Sequence, residues 1–209
     1  MGFVRSPGGV VIFAIVTMSR ARDAAGAVSD EALLERFARG DGAALGELFD
    51  RHHRRAHRFL ARLTGAHEAD LDDLVQTTFV EVARSASRFD GRAAFCTWLF
   101  GIAMNVARHY KRGNMRRRRV IVEVNDERPS DVPGRERADD GVERRELLEA
   151  LERALRELPL ALREVFVACE VEELPGADVA RLIGIPEGTL WRRLHEARKA
   201  LRVALGGRV

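Results

Sequence analysis

The feature that most constrains this chain lies near its end, in "ADVARLIGIPEGTLWRRLHEARKALRVAL". A short amphipathic run is cut by Gly-Ile-Pro and followed at once by a longer run rich in arginine. The pattern is that of two helices joined by a tight turn, the second presenting a cationic face. In the second run, stepping about 100° per residue from Leu190 brings Leu194, Ala197 and Leu201 into one narrow sector. That sector reads as core. Arg192 and Lys199 fall almost opposite it, flanked by His195 and Glu196, with Trp191 and Arg193 toward the two edges. In the first run Val179, Ala180, Leu182 and Ile183 are the expected core residues. Gly184 is the expected stop, and Pro186 the expected first helical residue.

This is helix-turn-helix chemistry. The first helix would cross a DNA backbone while the second enters the major groove by its N-terminus, where free amides near Gly188 and Thr189 suit a phosphate. A helical hairpin with a solvated cationic face would carry the same pattern. The rest of the chain decides between them.

Elsewhere the pattern is helical throughout. The 209 residues are 46% hydrophobic but only 6% aromatic, and Leu, Ala, Arg and Glu, all good helix formers, dominate. From Ser29, a helix is expected to present Leu33, Leu34 and Phe37. A second carries Leu45, Leu48, Phe49, His52, Phe59, Leu60 and Leu63 and stops at Gly65. A third buries Leu71, Leu74, Val75, Phe79 and Val82, leaving Asp72, Asp73, Gln76 and Thr77 on the other face. After a polar "DGRAA" break, a fourth has an apolar face of Phe95, Trp98, Leu99, Ile102 and Val106. Beyond the stretch between, "ERRELLEALERALRELP" and "LALREVFVACEVEEL" give two more helices ahead of the closing pair. The fold class is therefore all-α, with two small four-helix domains, the C-terminal one containing the helix-turn-helix.

The net charge is only +3, so its distribution matters more than its sum. From Arg88 to Arg119, nine basic residues face one acid, a net of +8. From Val120 to Gly141, seven acids face three arginines, a net of −4, in a stretch with two prolines, two glycines and no sustained period. This divides the chain into an extension at 1–28, a first domain at 29–119, a flexible acidic linker at 120–141 and a second domain at 142–205. The apolar core of "GGVVIFAIVTMSR" is far short of the ~20 residues that span a bilayer, and initiation at Met18 is an equal reading of this extension.

Signals for catalysis are absent. Cys96 and Cys169 lack any CxxC spacing, which fits a reducing cytosol, and there is no glycine-rich phosphate loop, nucleophile elbow or HExxH. His53 and His57 stand one helical turn apart, but no third metal ligand has a recognisable spacing to them. No cofactor, metal or catalytic residue is expected.

Four stretches occur in a characteristic order: "DDLVQTTFVEVAR", "RFDGRAAFCTWLFGIAMNVAR", "LPLALREVF" and "LIGIPEGTLWRRLHEARKAL". Together, over roughly Ser29 to Leu205, the chain resembles an extracytoplasmic-function (ECF) sigma factor of the sigma-70 family. The resemblance implies a cytoplasmic, non-enzymatic initiation factor that lends promoter specificity to bacterial core RNA polymerase and is itself held by an anti-sigma protein. It implies that Asp72, Asp73, Gln76 and Thr77 dock on the polymerase. It implies that Phe89, Asp90, Arg92, Trp98 and Asn105, with Arg108, Lys111 and Arg112 further along the helix, engage the minus-ten element. Gly188, Thr189, Trp191, Arg192, Arg193, His195 and Lys199 would read the minus-thirty-five element, and the linker would follow the RNA exit path. The sequence departs from the family at Cys96, Gly101 and Met104, where arginine is common, at Trp191, where lysine or arginine is usual, and at Glu196. Arg116 to Arg119 offers replacement charge, though Gly113 is a possible end of the helix ahead of it.

The main rival is an autonomous DNA-binding regulator with a helical sensor domain, which would share the C-terminal motif. Only the first domain separates the two readings. A pure protein-interaction bundle would leave the paired basic surfaces unexplained.

Overall fold

The computed structural model describes residues 28–121 and 142–206, with side chains at 28–114 and 146–206. The expected extension and acidic linker lie outside the described residues, apart from Val28 and the last helical turn at Val120 and Ile121. Every regular element among the described residues is helical, and the chain divides into two compact units.

The N-terminal unit contains α1 (Asp30–Ala38), α2 (Gly42–Thr64), α3 (Glu68–Ser85), a 3-10 turn at Ala86–Arg88 and α4 (Phe95–Ile121). Asp41 caps α2 by accepting the Ala43 amide at 3.2 Å. Gly65 ends it in the left-handed region at φ 60°, returning its N–H to Ala61 at 2.8 Å. The core forms where the apolar stripes meet: Leu33, Leu48, Phe59, Leu60, Leu63, Phe95, Leu99, Phe100 and Met104 are fully buried. Phe59 and Phe100 hold α2 against α4 with ring centroids 4.5 Å apart, and Phe49 meets Phe79 of α3 edge-on at 4.9 Å. Polar ties fix the register. Glu31 accepts the Phe95 amide at 3.0 Å, so α1 caps α4, and the Tyr110 hydroxyl donates to Asp70 of α3 at 2.6 Å.

Two expectations change here. Phe37, Trp98 and Ile102 are half-buried rather than core, because the interior is already filled by leucine and phenylalanine from neighbouring helices. Gly113 does not end α4, whose backbone stays helical to Ile121. A lone glycine costs a helix only ~1 kcal/mol, too little to break one anchored along its first half.

The C-terminal unit holds α5 (Val142–Glu157), α6 (Leu160–Phe166), a π turn at Val167–Val171, α7 (Gly176–Ile183) and α8 (Glu187–Ala204). Leu155, Val165, Phe166, Val167, Val179, Leu190, Leu194, Ala197 and Leu201 fill its small core. Arg163 is buried, and its guanidinium donates to the carbonyls of Arg156 and, at 2.9 Å, Leu158. A cation thus satisfies the C-terminal end of α5. The run from Leu160 does not form one regular helix. It widens at Val167, where the Glu172 amide reaches back five residues at 2.9 Å, keeping Val167 and Ala168 buried while the chain turns toward Pro175.

Candidate functional site

On α3 the helical period separates two faces. Leu71, Leu74, Val75, Thr78, Phe79 and Val82 are buried, while Asp72, Asp73, Gln76 and Thr77 form an exposed stripe, as the sequence predicts. Val80, 47% exposed, continues that stripe one turn beyond Gln76 and Thr77. Sequence reasoning missed it, although an apolar residue three and four positions after polar ones on an outward face was the available signal. Asp72 and Gln76 also border a groove of about 370 Å³ shared with His53, Arg54, His57 and Arg58 of α2. The surface is therefore not simply acidic: Glu68, Asp72 and Gln76 share the groove with two arginines, two histidines and the apolar Phe49 and Val75.

The stretch between the 3-10 turn and α4 is built by Gly91, at φ +69°, and by Asp90, whose carboxylate accepts the Arg92 amide at 3.1 Å. The same carboxylate lies 3.3 Å from the Arg92 guanidinium. The turn sets the Phe89 ring 5.1 Å from Trp98, which in turn lies 6.1 Å from Phe95. Trp98 is thus backed by two aromatics yet keeps part of its surface open. Asn105 is exposed and accepts from Arg108 at 3.4 Å, and at helical spacing Trp98, Asn105, Arg108 and Arg112 share one side of α4. Lys111 falls well off that side. Met104 is fully buried, so the missing arginine there is exchanged for core packing rather than for a bare surface position. The side chains of Arg116 to Arg119 lie outside the described residues.

In the C-terminal unit, Gly184 adopts φ +70° and donates to Ala180 and Arg181, and the Ile185 amide returns to Ala180 at 3.0 Å. Any side chain at Gly184 would be strained, which is why glycine stands at this stop. Pro186 takes the N-cap rather than the first helical position, with its carbonyl accepting from Thr189 at 2.9 Å and Leu190 at 3.1 Å. The Thr189 amide is consequently committed to the helix, so the anion-accepting amide expected there is confined to the residues before it, Gly188 among them. Leu182 and Ile183 are half-buried, since α7 turns mainly Val179 and Ala180 inward.

On α8, Gly188, Arg192, His195, Glu196 and Lys199 are exposed, and Thr189 and Arg193 are half-buried. The cationic face stands opposite a fully buried seam. Trp191 is 46% exposed, but the rest of its ring lies on Gly176 at the start of α7. A Cβ placed at Gly176 would sit 2.7 Å from two atoms of the indole. Glycine at this position is what admits tryptophan at 191, a pairing that no spacing rule reveals. Arg198, by contrast, is turned back to Glu170 of the π turn.

The histidine pair considered as a metal site does not converge. His53 Nδ1 lies 3.0 Å from the Phe49 carbonyl with its ring stacked on Phe49. His57 Nε2 lies 3.2 Å from Glu68 without the alignment of a hydrogen bond. Among the described residues, no helix is long and apolar enough to cross a membrane.

Comparison with known proteins places both units in one class. Residues 48–117 match Sigma-70 region 2, and residues 148–201 match Sigma-70, region 4. The chain is 34% identical over 178 residues to the ECF RNA polymerase sigma factor SigM of Mycobacterium tuberculosis (strain ATCC 25618 / H37Rv), covering 85% of each chain. It is 32% identical to the ECF RNA polymerase sigma-E factor of Haemophilus influenzae (strain ATCC 51907 / DSM 11121 / KW20 / Rd), covering 83% of this chain and 94% of that one. It is also similar to the solved structure of CnrH in complex with the cytosolic domain of CnrY, at TM-score 0.59 and 26% identity, over 86% of this chain and 99% of that one. The fold is shared as well with RpoE in complex with the anti-sigma factor NepR from Bartonella quintana, at TM-score 0.64 and 22% identity, over 78% of this chain and 98% of that one. The class is that of sigma-70 transcription initiation factors. Within it, the chain belongs to the ECF RNA polymerase sigma factors.

Proposed function

We propose that the chain directs bacterial core RNA polymerase to specific promoters from the cytoplasm, as an initiation factor with no catalysis, cofactor or metal of its own. The observation that carries this reading is the pairing in one chain of an outward Asp-Asp-Gln-Thr stripe on α3 with two separate DNA-suited faces, on α4 and α8. An autonomous regulator has no use for the first of these. Residues 29–119 form the polymerase and minus-ten domain, 120–141 the linker, and 142–205 the minus-thirty-five domain.

The chemistry follows from the side chains. Asp72, Asp73, Gln76 and Thr77 offer acceptors and an amide to a basic partner surface, and Val80 adds apolar contact at the end of the stripe. Opening the minus-ten duplex means holding unstacked bases against π-faces and phosphates against cations. Phe89 and Trp98 supply the first, Arg92, Arg108 and Arg112 the second, with Lys111 adding charge from a neighbouring side of α4, and Asn105 and Asp90 supply hydrogen-bonding groups for base edges. At minus thirty-five, the exposed Arg192 would make a bidentate guanine contact, while Arg193, His195 and Lys199 would hold backbone or neighbouring bases. Gly188 lets the helix start approach a phosphate closely, Thr189 adds its side-chain hydroxyl, and Trp191 offers apolar contact to a thymine methyl group. CnrH and RpoE were each solved bound to a partner, the cytosolic domain of CnrY and the anti-sigma factor NepR, and an anti-sigma protein covering these faces is the corresponding partner here.

A direct test is co-elution of the full chain with core polymerase in size-exclusion chromatography. The Asp73→Ala/Gln76→Ala variant, with an unchanged circular dichroism melt, should lose most of the complex. Retention of the full complex by this variant would remove the docking assignment.

A further inference from the structure

Three helices converge on one sulfur at the start of α4. Cys96 is the second residue of that helix, and its Sγ lies 3.6 Å from Nδ1 of His52 on α2. The other imidazole nitrogen, Nε2, lies 2.7 Å from the Asp30 carboxylate at the start of α1. Arg55, nearly one turn beyond His52, directs its guanidinium at the same sulfur from 3.6 Å while resting 5.0 Å over the Phe100 ring. The remaining charged groups around this cluster are already engaged. Arg51 donates to the second Asp30 oxygen at 3.0 Å, and Glu31 accepts the Phe95 amide.

The order acid, imidazole, thiol is that of an activated nucleophile. With Asp30 on Nε2, Nδ1 is the nitrogen turned to the thiol, and a thiolate formed there would face the His52 imidazolium, the Arg55 guanidinium and the N-terminal end of a long helix. Burial opposes charge on His52, yet hydrogen bonds with Asp30 and Cys96 raise it to about 9. The cluster also fits a relay better than a chelate. One ligand atom from each residue lies within 4.8 Å of the others, but both ring nitrogens of His52 are already engaged within the cluster, Nε2 with Asp30 and Nδ1 with Cys96, where a chelate would leave one of them turned to the ion. The second cysteine is a built-in contrast: burial, with Glu170 beside it, pushes the Cys169 thiol up to about 11.

We propose that Cys96 is a modification site, a nucleophilic thiol activated by His52, Asp30 and Arg55 and oxidised by small hydroperoxides. The sulfur lone pair attacks one peroxide oxygen, forming the S–O bond as the O–O bond breaks. Sulfur is oxidised to the sulfenic acid and the peroxide is reduced. The leaving oxygen takes up the proton held by His52, so a thiol and a hydroperoxide become a sulfenic acid and an alcohol or water. This chemistry is independent of the promoter reading and stands or falls without it.

The test uses the full chain, with iodoacetamide labelling at Cys96 and Cys169 followed in one sample by mass spectrometry. At pH 7, Cys96 should react at least about tenfold faster than Cys169, and faster than in the urea-unfolded chain. Between pH 8 and 6.5 its rate should fall less than about threefold, where a thiol of ordinary pKa near 8.5 falls by about twentyfold. His52→Gln should slow Cys96 about fivefold or more without moving Cys169, and hydrogen peroxide followed by dimedone should tag Cys96 alone. The proposal fails if Cys96 follows the ordinary thiol curve, if dimedone finds no sulfenic acid, or if equimolar zinc protects the sulfur, which would make it a metal ligand. The wild-type pH profile decides the matter even if His52→Gln does not fold.

Discussion

The two units reach a fixed shape by different means. In the N-terminal one, long helices enclose tilted, close-packed aromatics, and rigidity comes from volume: Phe59, Phe95 and Phe100 are all fully buried. In the C-terminal one, short helices meet over a smaller core, and rigidity comes from backbone devices. Gly184 sits at φ +70°, Arg163 satisfies the end of α5, and Gly176 makes room for an indole. A face that must dock on a large partner tolerates conservative change behind it, whereas a helix that must enter a groove at one angle depends on single hinge residues. The first unit should therefore be sensitive to lost volume and the second to lost geometry.

The largest effect should come from volume. Phe59→Ala is expected to cost about 3–5 kcal/mol in urea unfolding, because the ring fills the seam with Phe100. A loss below ~1 kcal/mol would show that this seam does not organise the unit. Next, Arg163→Met should cost about 1–3 kcal/mol by stranding the Arg156 and Leu158 carbonyls at the end of α5. An unchanged midpoint would mean that packing alone holds that corner.

A third prediction concerns pH. His52 is raised above its unfolded value to about 9, so its stabilising contribution is complete below pH ~6.5 and is lost as pH rises through about 9. In a Cys96→Ser chain, where no thiol titrates beside the imidazole, stability should drop as pH rises through that window, and adding Asp30→Asn should flatten the drop. A profile that is level in the Cys96→Ser chain contradicts the Asp30–His52 pairing.

Gly176→Ala sharpens the contrast further. The added methyl would sit 2.7 Å from the indole, so Trp191 must move, at a cost of about 1–3 kcal/mol. Shifted tryptophan emission and weaker minus-thirty-five binding are expected, while Gly46→Ala, open on all sides, should change neither. The smallest effect on stability, within about 0.5 kcal/mol, belongs to Asp73→Ala on an exposed helix face. Its effect on polymerase association should nonetheless be at least about tenfold, and the separation of the two readouts marks a docking residue.

Periodicity carried the helices because each needed only its own residues to declare a buried stripe. The α3 face and the Leu190, Leu194, Ala197, Leu201 seam of α8 were legible for that reason. The limits lay where tertiary structure decides. Asp30, His52 and Cys96 are separated in sequence by 22 and 44 positions, and nothing local marks them as partners. Met104 stands where the family often has arginine, and only its full burial in the folded unit shows it to be core. The π turn after Phe166 and the single-residue shift of Pro186 arise from backbone bonds that side-chain pattern does not encode. Gly176 beneath Trp191 is legible only once the α7–α8 angle is known.

The central claim is that one chain carries polymerase docking and promoter reading on separate faces. In vitro transcription with bacterial core polymerase on a library of upstream genomic fragments tests it most directly, comparing the chain with Asp73→Ala/Gln76→Ala and Arg192→Ala. Discrete starts that require the chain, weaken across all promoters in the α3 variant and change promoter preference in the α8 variant are predicted. Specific binding to DNA fragments without polymerase, and no starts when polymerase is added, would contradict the account in favour of an autonomous regulator.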